Sequence, residues 1–268
     1  MHNVILERIL HLHPGQGPLL ILALFFALAA GLIGCFALMK RMLLAGDVIS
    51  HLALPGLGIA FLFKIDPLFG GAATLFVGTL LVWQLQKKTG LATDANIGVV
   101  FAAALAIGAA VTPREDLLEA LFGELQQISL FGLGLGLAAT LFVICALYWL
   151  KDRLALAVFS PELAEATGVN VSRVDLGFLF LFSLTVLLGL RFMGTLLAAA
   201  LIILPAAAAR QFTDKLGHFL AVSAAISLIS VLAGFPLNAY VFHLQTVGPA
   251  IVTFCALLFL ASLLKTKT

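Results

Sequence analysis

Long apolar runs alternate with short polar stretches from one end of the chain to the other. Residues 18–39, 46–63, 67–86, 95–111, 128–150, 174–190, 193–209, 217–234 and 246–264 hold few or no charges. Each is close to the ~17–25 apolar residues that carry an α-helix across the hydrocarbon core of a bilayer. Hydrocarbon offers no partner to a backbone N–H or C=O, so a spanning run must satisfy its own hydrogen bonds as a helix. Strands of a membrane barrel would be shorter and would alternate polar with apolar residues, which these runs do not. The pattern predicts an all-α polytopic membrane protein, a single transmembrane domain over 1–268 with about nine spans (eight to ten). The weakest division lies within 174–209, where only Arg191 and the breakers Gly189 and Gly194 interrupt a stretch too long for one span. Residues 1–17 carry Leu, Ile and Val at helical spacing but no cationic segment leading into an apolar one and a cleavage site. They predict an amphipathic segment on the external membrane surface, not a cleavable signal.

Charge supplies the orientation. Nine spans place Lys40, Arg41, Lys87, Lys88, Lys151, Arg153, Arg173, Arg210, Lys215, Lys265 and Lys267 on one side, and Arg8, Lys64, Arg114 and Arg191 on the other, 11 and 4 of the 15 Lys and Arg. Cytoplasmic loops collect Lys and Arg, so the N-terminus is predicted outside and the C-terminus in the cytoplasm. The segment TPREDLLEALFGELQQ, 112–127, then falls outside, and Glu115, Asp116, Glu119 and Glu124 give that face a negative patch.

Composition agrees with the pattern. Of 268 residues, 62% are hydrophobic and 10% charged, where a soluble domain has about 25% charged. The net charge of +2 points to no nucleic-acid partner. Cys35, Cys145 and Cys255 are odd in number and lie apart in apolar runs, which reads as buried free thiols. Repeated small residues, as in GGAATLFVG (70–78), GLGLGLAAT (132–140) and LAAALIILPAAAA (197–209), read as close helix packing.

One cytoplasmic loop, KDRLALAVFSPELAEATGVNVSRVD, has a helix of its own written into it. Ser160 suits an N-cap, Pro161 the first helical position, Glu162 the first turn, and Gly168 the C-cap. A short helix within 160–171, presenting Leu163 and Ala166, is a docking element for a cytoplasmic partner or else a plain connector.

Chemistry concentrates in AGDVISHLALPGLG, 45–58. Asp47 and His51 stand at i and i+4, which puts them on one face of a helix. A carboxylate deep in a membrane segment faces a bundle interior or a water-filled path. Carboxylate with imidazole suits zinc, manganese or iron. Two ligands are too few for a tight zinc site, but two protomers meeting on a twofold axis would supply four. Pro55-Gly56 frees a carbonyl near His51 or Leu52, and irregular backbone at that depth is tolerated only where it lines a cavity or packs on protein. The alternative is structural: Asp47 after Gly46 as an N-cap, and His51 bonded to a neighbouring carbonyl.

The stretch AGDVISHLALPGLGIAFLF resembles the signature of the permease family of metal-ion ABC importers, which reads approximately G-D-x-x-S/A-H-x-x-L-P-G. The resemblance continues in order through TDANIGVVFA (93–102), LFGELQQIS (121–129), SPELAEATGVNVSRVD (160–175), MGTLLAAALIILPAAAAR (193–210) and TVGPAIVTFCALLFLASLL (246–264). It implies a homodimeric permease in the bacterial cytoplasmic (inner) membrane, with two cytoplasmic ATPases and an external metal-binding protein as partners. By that resemblance Asp47 and His51 line the translocation path and 160–171 couples to the ATPase, while the residues themselves make Pro55 and Gly56 the candidate helix break or gate. The external acidic patch would dock the binding protein. The cargo implied is Zn2+, with Mn2+ or Fe2+ as alternatives, and no permanently bound cofactor. The chain has no G-x-x-x-x-G-K-[ST] to cradle ATP, no H-E-x-x-H and no G-x-S-x-G, so ATP hydrolysis is expected of a separate chain. A stand-alone divalent-cation transporter would favour several intramembrane carboxylates, where only Asp47 qualifies. An intramembrane enzyme would need a nucleophile–base pair that the chain lacks.

Overall fold

The computed structural model describes residues 17–43, 45–65, 67–111, 130–242 and 247–264, and among them there is helix and no strand. In chain order the elements are α1 (Gly17–Met39), α2 (Ala45–Ser50), a 3-10 turn (His51–Ala53), α3 (Leu54–Phe63), α4 (Pro67–Thr89), α5 (Thr93–Val111) and α6 (Leu130–Phe159). They continue with α7 (Pro161–Ala166), α8 (Val171–Phe192), α9 (Thr195–Phe212), α10 (Leu216–Leu237), a π-helical segment (Asn238–Phe242) and α11 (Gly248–Leu263). The apolar runs of the sequence, where they lie within the described residues, fall on this helical order. By length and composition α1, α4, α6, α8 and α10 suffice to cross a membrane, while the apolar parts of α3, α5, α9 and α11 are shorter.

Three expected boundaries move. The run at 46–63 is not one helix, because a 3-10 turn divides it into α2 and α3. The helix expected to end at Leu150, where the charges begin, continues to Phe159, since Leu154 and Ala157 keep an apolar face buried past Lys151. The doubtful division in 174–209 sits at Met193–Gly194, where Gly194 takes the left-handed φ of 83° that a side chain resists.

At the centre stands α1, the most enclosed of the five long helices. It packs against α6, α8, α9 and α10. Its Phe26, Ile33 and Phe36 are fully buried. Lipid is as apolar as a leucine side chain, so helices in a bilayer associate through close packing and hydrogen bonds more than through hydrophobic burial. The contacts of α1 have that form. A Cβ on Gly34 would strike the backbone carbonyl of Ile202 on α9. Gly31 lies against Ser227 of α10, and the Ser223 hydroxyl donates to the Gly31 carbonyl at 2.8 Å. Between α4 and α8, the Thr79 and Ser183 hydroxyls share a hydrogen bond of 2.6 Å.

The outer helices are apolar where they face away from the bundle, as at Val77, Leu80, Phe131, Phe142 and Trp149. Lys151 lies over the Tyr148 ring at 4.0 Å and Lys87 over the Trp83 ring at 3.9 Å, the placement by which long cations border an apolar surface. Cys35 and Cys255 are buried free thiols, as expected, but Cys145 is exposed. Its position on α6 faces outward, and an apolar run gives no sign of which side will be enclosed.

The glycines therefore divide by neighbour. Gly34→Ala forces a backbone at the α1–α9 crossing and is expected to destabilise by about 1–3 kcal/mol. Gly134, with nothing within 4 Å of a built Cβ, should accept alanine without loss, since alanine is the better helix former. Thermal unfolding of the two purified variants checks the contrast; equal midpoints would show that the crossing yields.

Candidate functional site

The site segment is set up by the end of α1. Arg41 N–H donates to the Leu38 carbonyl at 3.0 Å and Met42 N–H to the Ala37 carbonyl at 2.9 Å. This pair of bonds is the common closure of a helix C-terminus. Arg41 supplies the left-handed residue at φ 58°, a place where glycine is more usual. Ala45 N–H then donates to the Met42 carbonyl at 3.1 Å. The chain thus leaves α1 and enters α2 almost at once. Met42, Ala45 and Ile49 are buried, and α2 packs against α8, α9 and α5.

Asp47 is the third residue of α2. The helix starts two residues before it, so Asp47 is not the N-cap that the structural alternative requires. The α-helix ends at Ser50, and His51 opens the 3-10 turn. Pro55 explains the change: it has no N–H to give the His51 carbonyl four residues back, and its ring crowds that carbonyl. Tighter i→i+3 bonding satisfies the backbone without it. His51 itself is half-buried, and its ring lies 5.7 Å from that of Phe101 on α5, at 54°.

The break is packed on protein. Leu52 and Ala53 are buried. A Cβ on Gly78 of α4 would come within 2.9 Å of the Leu52 side chain. Where α3 crosses α4, a Cβ on Gly56 would strike the Gly70 carbonyl, and one on Gly70 would strike the Gly56 carbonyl and meet Ala60 at 2.7 Å. The Thr74 hydroxyl bonds the Gly70 and Gly71 carbonyls, each at 3.2 Å, and reaches the Ala53 carbonyl at 3.5 Å. Gly56 is thus a contact residue of the α3–α4 crossing, with the break itself one turn earlier. GGAATLFVG foretold this packing. Phe101 gave no signal, because nothing in α5 marks it off from its apolar neighbours.

Asp47, His51, Pro55 and Gly56 are thus carried by one broken helix. The helix expected within 160–171 is a separate element, shorter than expected: α7 spans six residues, and Val171 already begins α8. Ser160 occupies the N-cap position, but its side chain makes no cap bond. Its φ of −150° and ψ of 80° hold the backbone there, and its carbonyl accepts Ala164 N–H at 3.0 Å. Pro161 is the first helical residue and Glu162 lies in the first turn. Gly168 closes the other end at φ 80°, with Gly168 N–H bonded to the Glu165 carbonyl at 3.0 Å and Val169 N–H to the Ala164 carbonyl at 2.8 Å. Ala164 is fully buried against the bundle, whereas Leu163 is 52% exposed and Ala166 is exposed as well. Of the remaining candidates, Glu115, Asp116, Glu119 and Glu124 lie outside the described residues, as does nearly all of 1–17. Among the described residues no three His, Cys, Asp or Glu gather as a metal-holding group.

The chain matches the ABC 3 transport family over residues 17–266. It is similar to the "High-affinity zinc uptake system membrane protein ZnuB" of Haemophilus influenzae, 29% identical over 257 residues that cover 92% of this chain and 96% of that one. It is also similar to the "Manganese transport system membrane protein MntC" of Halalkalibacterium halodurans, 31% identical with 79% and 74% covered. Among solved structures, "PsaBC from Streptococcus pneumoniae in complex with Fab" is similar with a TM-score of 0.78 and 25% identity, covering 96% of this chain and 95% of that one.

Proposed function

This chain belongs to the ABC 3 transport family, and from that premise we propose that it is the membrane permease subunit of an ATP-driven importer of a divalent transition-metal ion. Relatives named for zinc and for manganese, at similar identity, support the class of ion. We assign zinc, on the resemblance of the 45–63 and 246–264 stretches to zinc-uptake permeases, with manganese or iron as the alternative, since relatives named for manganese match the length of the chain as well. The subunit acts as a homodimer in the bacterial inner membrane, N-terminus outside. ATP is hydrolysed by separate cytoplasmic subunits, and an external protein delivers the ion.

The observation that carries the reading is the 3-10 break that opens at His51 and follows Asp47 by one turn. A continuous helix would hide its backbone and fix its side chains in register. A broken one is tolerated where it packs on protein, as this one does, or where it lines an ion or substrate path, and the carboxylate and imidazole beside this break favour the path. Carboxylate and imidazole are ligands that zinc and manganese both accept. Two from each protomer make a site able to hold an ion and also release it within a transport cycle, as conduction requires. Pro55 maintains the break, and the Gly56–Gly70 crossing holds α3 on α4.

The second element of the function is α7. Its Leu163 is exposed on a six-residue helix closed at its C-terminal end and seated on the bundle through Ala164. We assign it as the contact that receives ATPase motion, a rigid-body transfer that depends on contact area.

Asp47→Asn keeps the shape of the side chain and removes its charge, and His51→Ala removes the imidazole. Each is expected to lower uptake of zinc and of manganese, supplied singly to membrane vesicles, by at least about tenfold, the smaller end of the loss usual even for groups that merely support a metal ligand. Full uptake by Asp47→Asn at normal protein level would refute the path. Leu163→Asp combined with Ala166→Asp is expected to abolish both copurification of the ATPase and uptake. Retention of both would show that the ATPase docks elsewhere.

A further inference from the structure

We propose that Lys40 and Asp175 are positioning residues whose ion pair carries motion of α7 to the broken helix that bears Asp47 and His51. The inference rests on the reading of α7 and of the 45–63 segment given above, and names the link between them.

The joint between α7 and α8 has little slack. Only Thr167–Asn170 separate the two helices. Their backbone is held by the closure at Gly168, and the Asn170 side chain caps α8 by accepting Arg173 N–H at 3.0 Å. A displacement of α7 therefore arrives at the first turns of α8. From there two side-chain links lead to opposite flanks of the site segment. The Asp175 carboxylate receives Lys40 Nζ at 2.5 Å. Ser172 gives its carbonyl to Trp83 Nε1 of α4 at 2.9 Å.

Each link is short on its far side. Lys40 directly follows α1, and the bonded turns at Arg41, Met42 and Ala45 run from it into α2, with Asp47 the third residue of that helix. Trp83 lies on α4, the helix whose Gly78, more than a turn earlier, receives Leu52 of the 3-10 turn. The first turns of α8 are thus tied both to the chain that leads into α2 and to the helix on which the break packs.

The setting of the pair separates it from a surface contact. Both side chains are only 17% exposed, and the Lys40 ammonium also lies 5.8 Å from the centre of the buried Phe178 ring. By contrast Arg210 and Asp214 pair four residues apart on the surface, 48% and 75% exposed. Such pairs contribute little. Lys40–Asp175 joins elements 135 residues apart. A lysine at the end of α1 would also favour that helix electrostatically, so a role in stability alone has to be distinguished from a role in coupling.

The experiment uses the complete complex with its ATPase and binding protein in liposomes, and reads ions transported per ATP hydrolysed, with zinc, manganese and iron each supplied alone. Lys40→Gln and Asp175→Asn are each expected to lower that ratio about two- to thirtyfold, the range over which residues in a coupling network act, while the ATPase stays bound. The double variant should lose no more than the worse single variant, as for two members of one interaction, and Lys40→Arg should keep most of the coupling. An unchanged ratio in the single variants, even with a lowered melting temperature, overturns the proposal, and so do additive losses in the double variant. A wild-type complex that moves none of zinc, manganese and iron, each supplied alone, overturns the transport reading beneath it, and this inference with it.

Discussion

A backbone amide or carbonyl inside a bilayer has no water to turn to, and this fold is organised by that requirement. It makes nearly every described apolar run a helix. It also makes a departure from helix informative, because each one needs a local reason and local compensation. At Pro55 the missing N–H is the reason. The 3-10 turn at His51–Ala53 is the compensation, with the Thr74 hydroxyl reaching the Ala53 carbonyl from the neighbouring helix. The turn is sheltered by Leu52 against Gly78 on one side, and by the mutual approach of Gly56 and Gly70 on the other. Asp47 and His51, a carboxylate and an imidazole one turn apart, stand where helical regularity fails.

The same requirement shapes the packing. Helices that cannot gain much from leaving lipid gain from approaching closely. Gly34 admits the Ile202 carbonyl, Gly31 accepts the Ser223 hydroxyl, and Gly189 lies against Ala198. These contacts fix α1 as a rigid centre and leave polar bonding to short, fully satisfied side chains such as Thr79 and Ser183. On such a frame a short element like α7 can pass displacement to its neighbours, since packed helices shift as bodies before they deform.

Much of this was legible from the residues. Apolar runs marked the helices, GGAATLFVG and LAAALIILPAAAA marked crossings while Gly134 within GLGLGLAAT meets nothing, and Pro161 with Gly168 marked a helix as short as α7. Asp47, His51 and Pro55 were found by their cost, being residues that a spanning helix would otherwise avoid. What stayed hidden depended on partners far away in the chain. Nothing local reveals that Phe101 lies beside His51, that Cys145 faces outward, or that Lys40 meets Asp175. The overrun of α6 to Phe159 was hidden for the same reason, because Leu154 and Ala157 are buried by neighbours and not by their own sequence. Ser160 misled in the opposite direction: the residue type suits a cap, yet the backbone at that corner turns its side chain to no cap bond.

The proposed metal path, driven from α7, rests on the helix break, the exposed Leu163 and the family membership. The most direct measurement is X-ray absorption at the zinc edge on the loaded complex, comparing wild type with His51→Ala. Imidazole scattering from the bound ion in the wild type, lost in the variant at equal protein, is the predicted result. Identical spectra from the two proteins would contradict a role for the turn at His51 in carrying the ion.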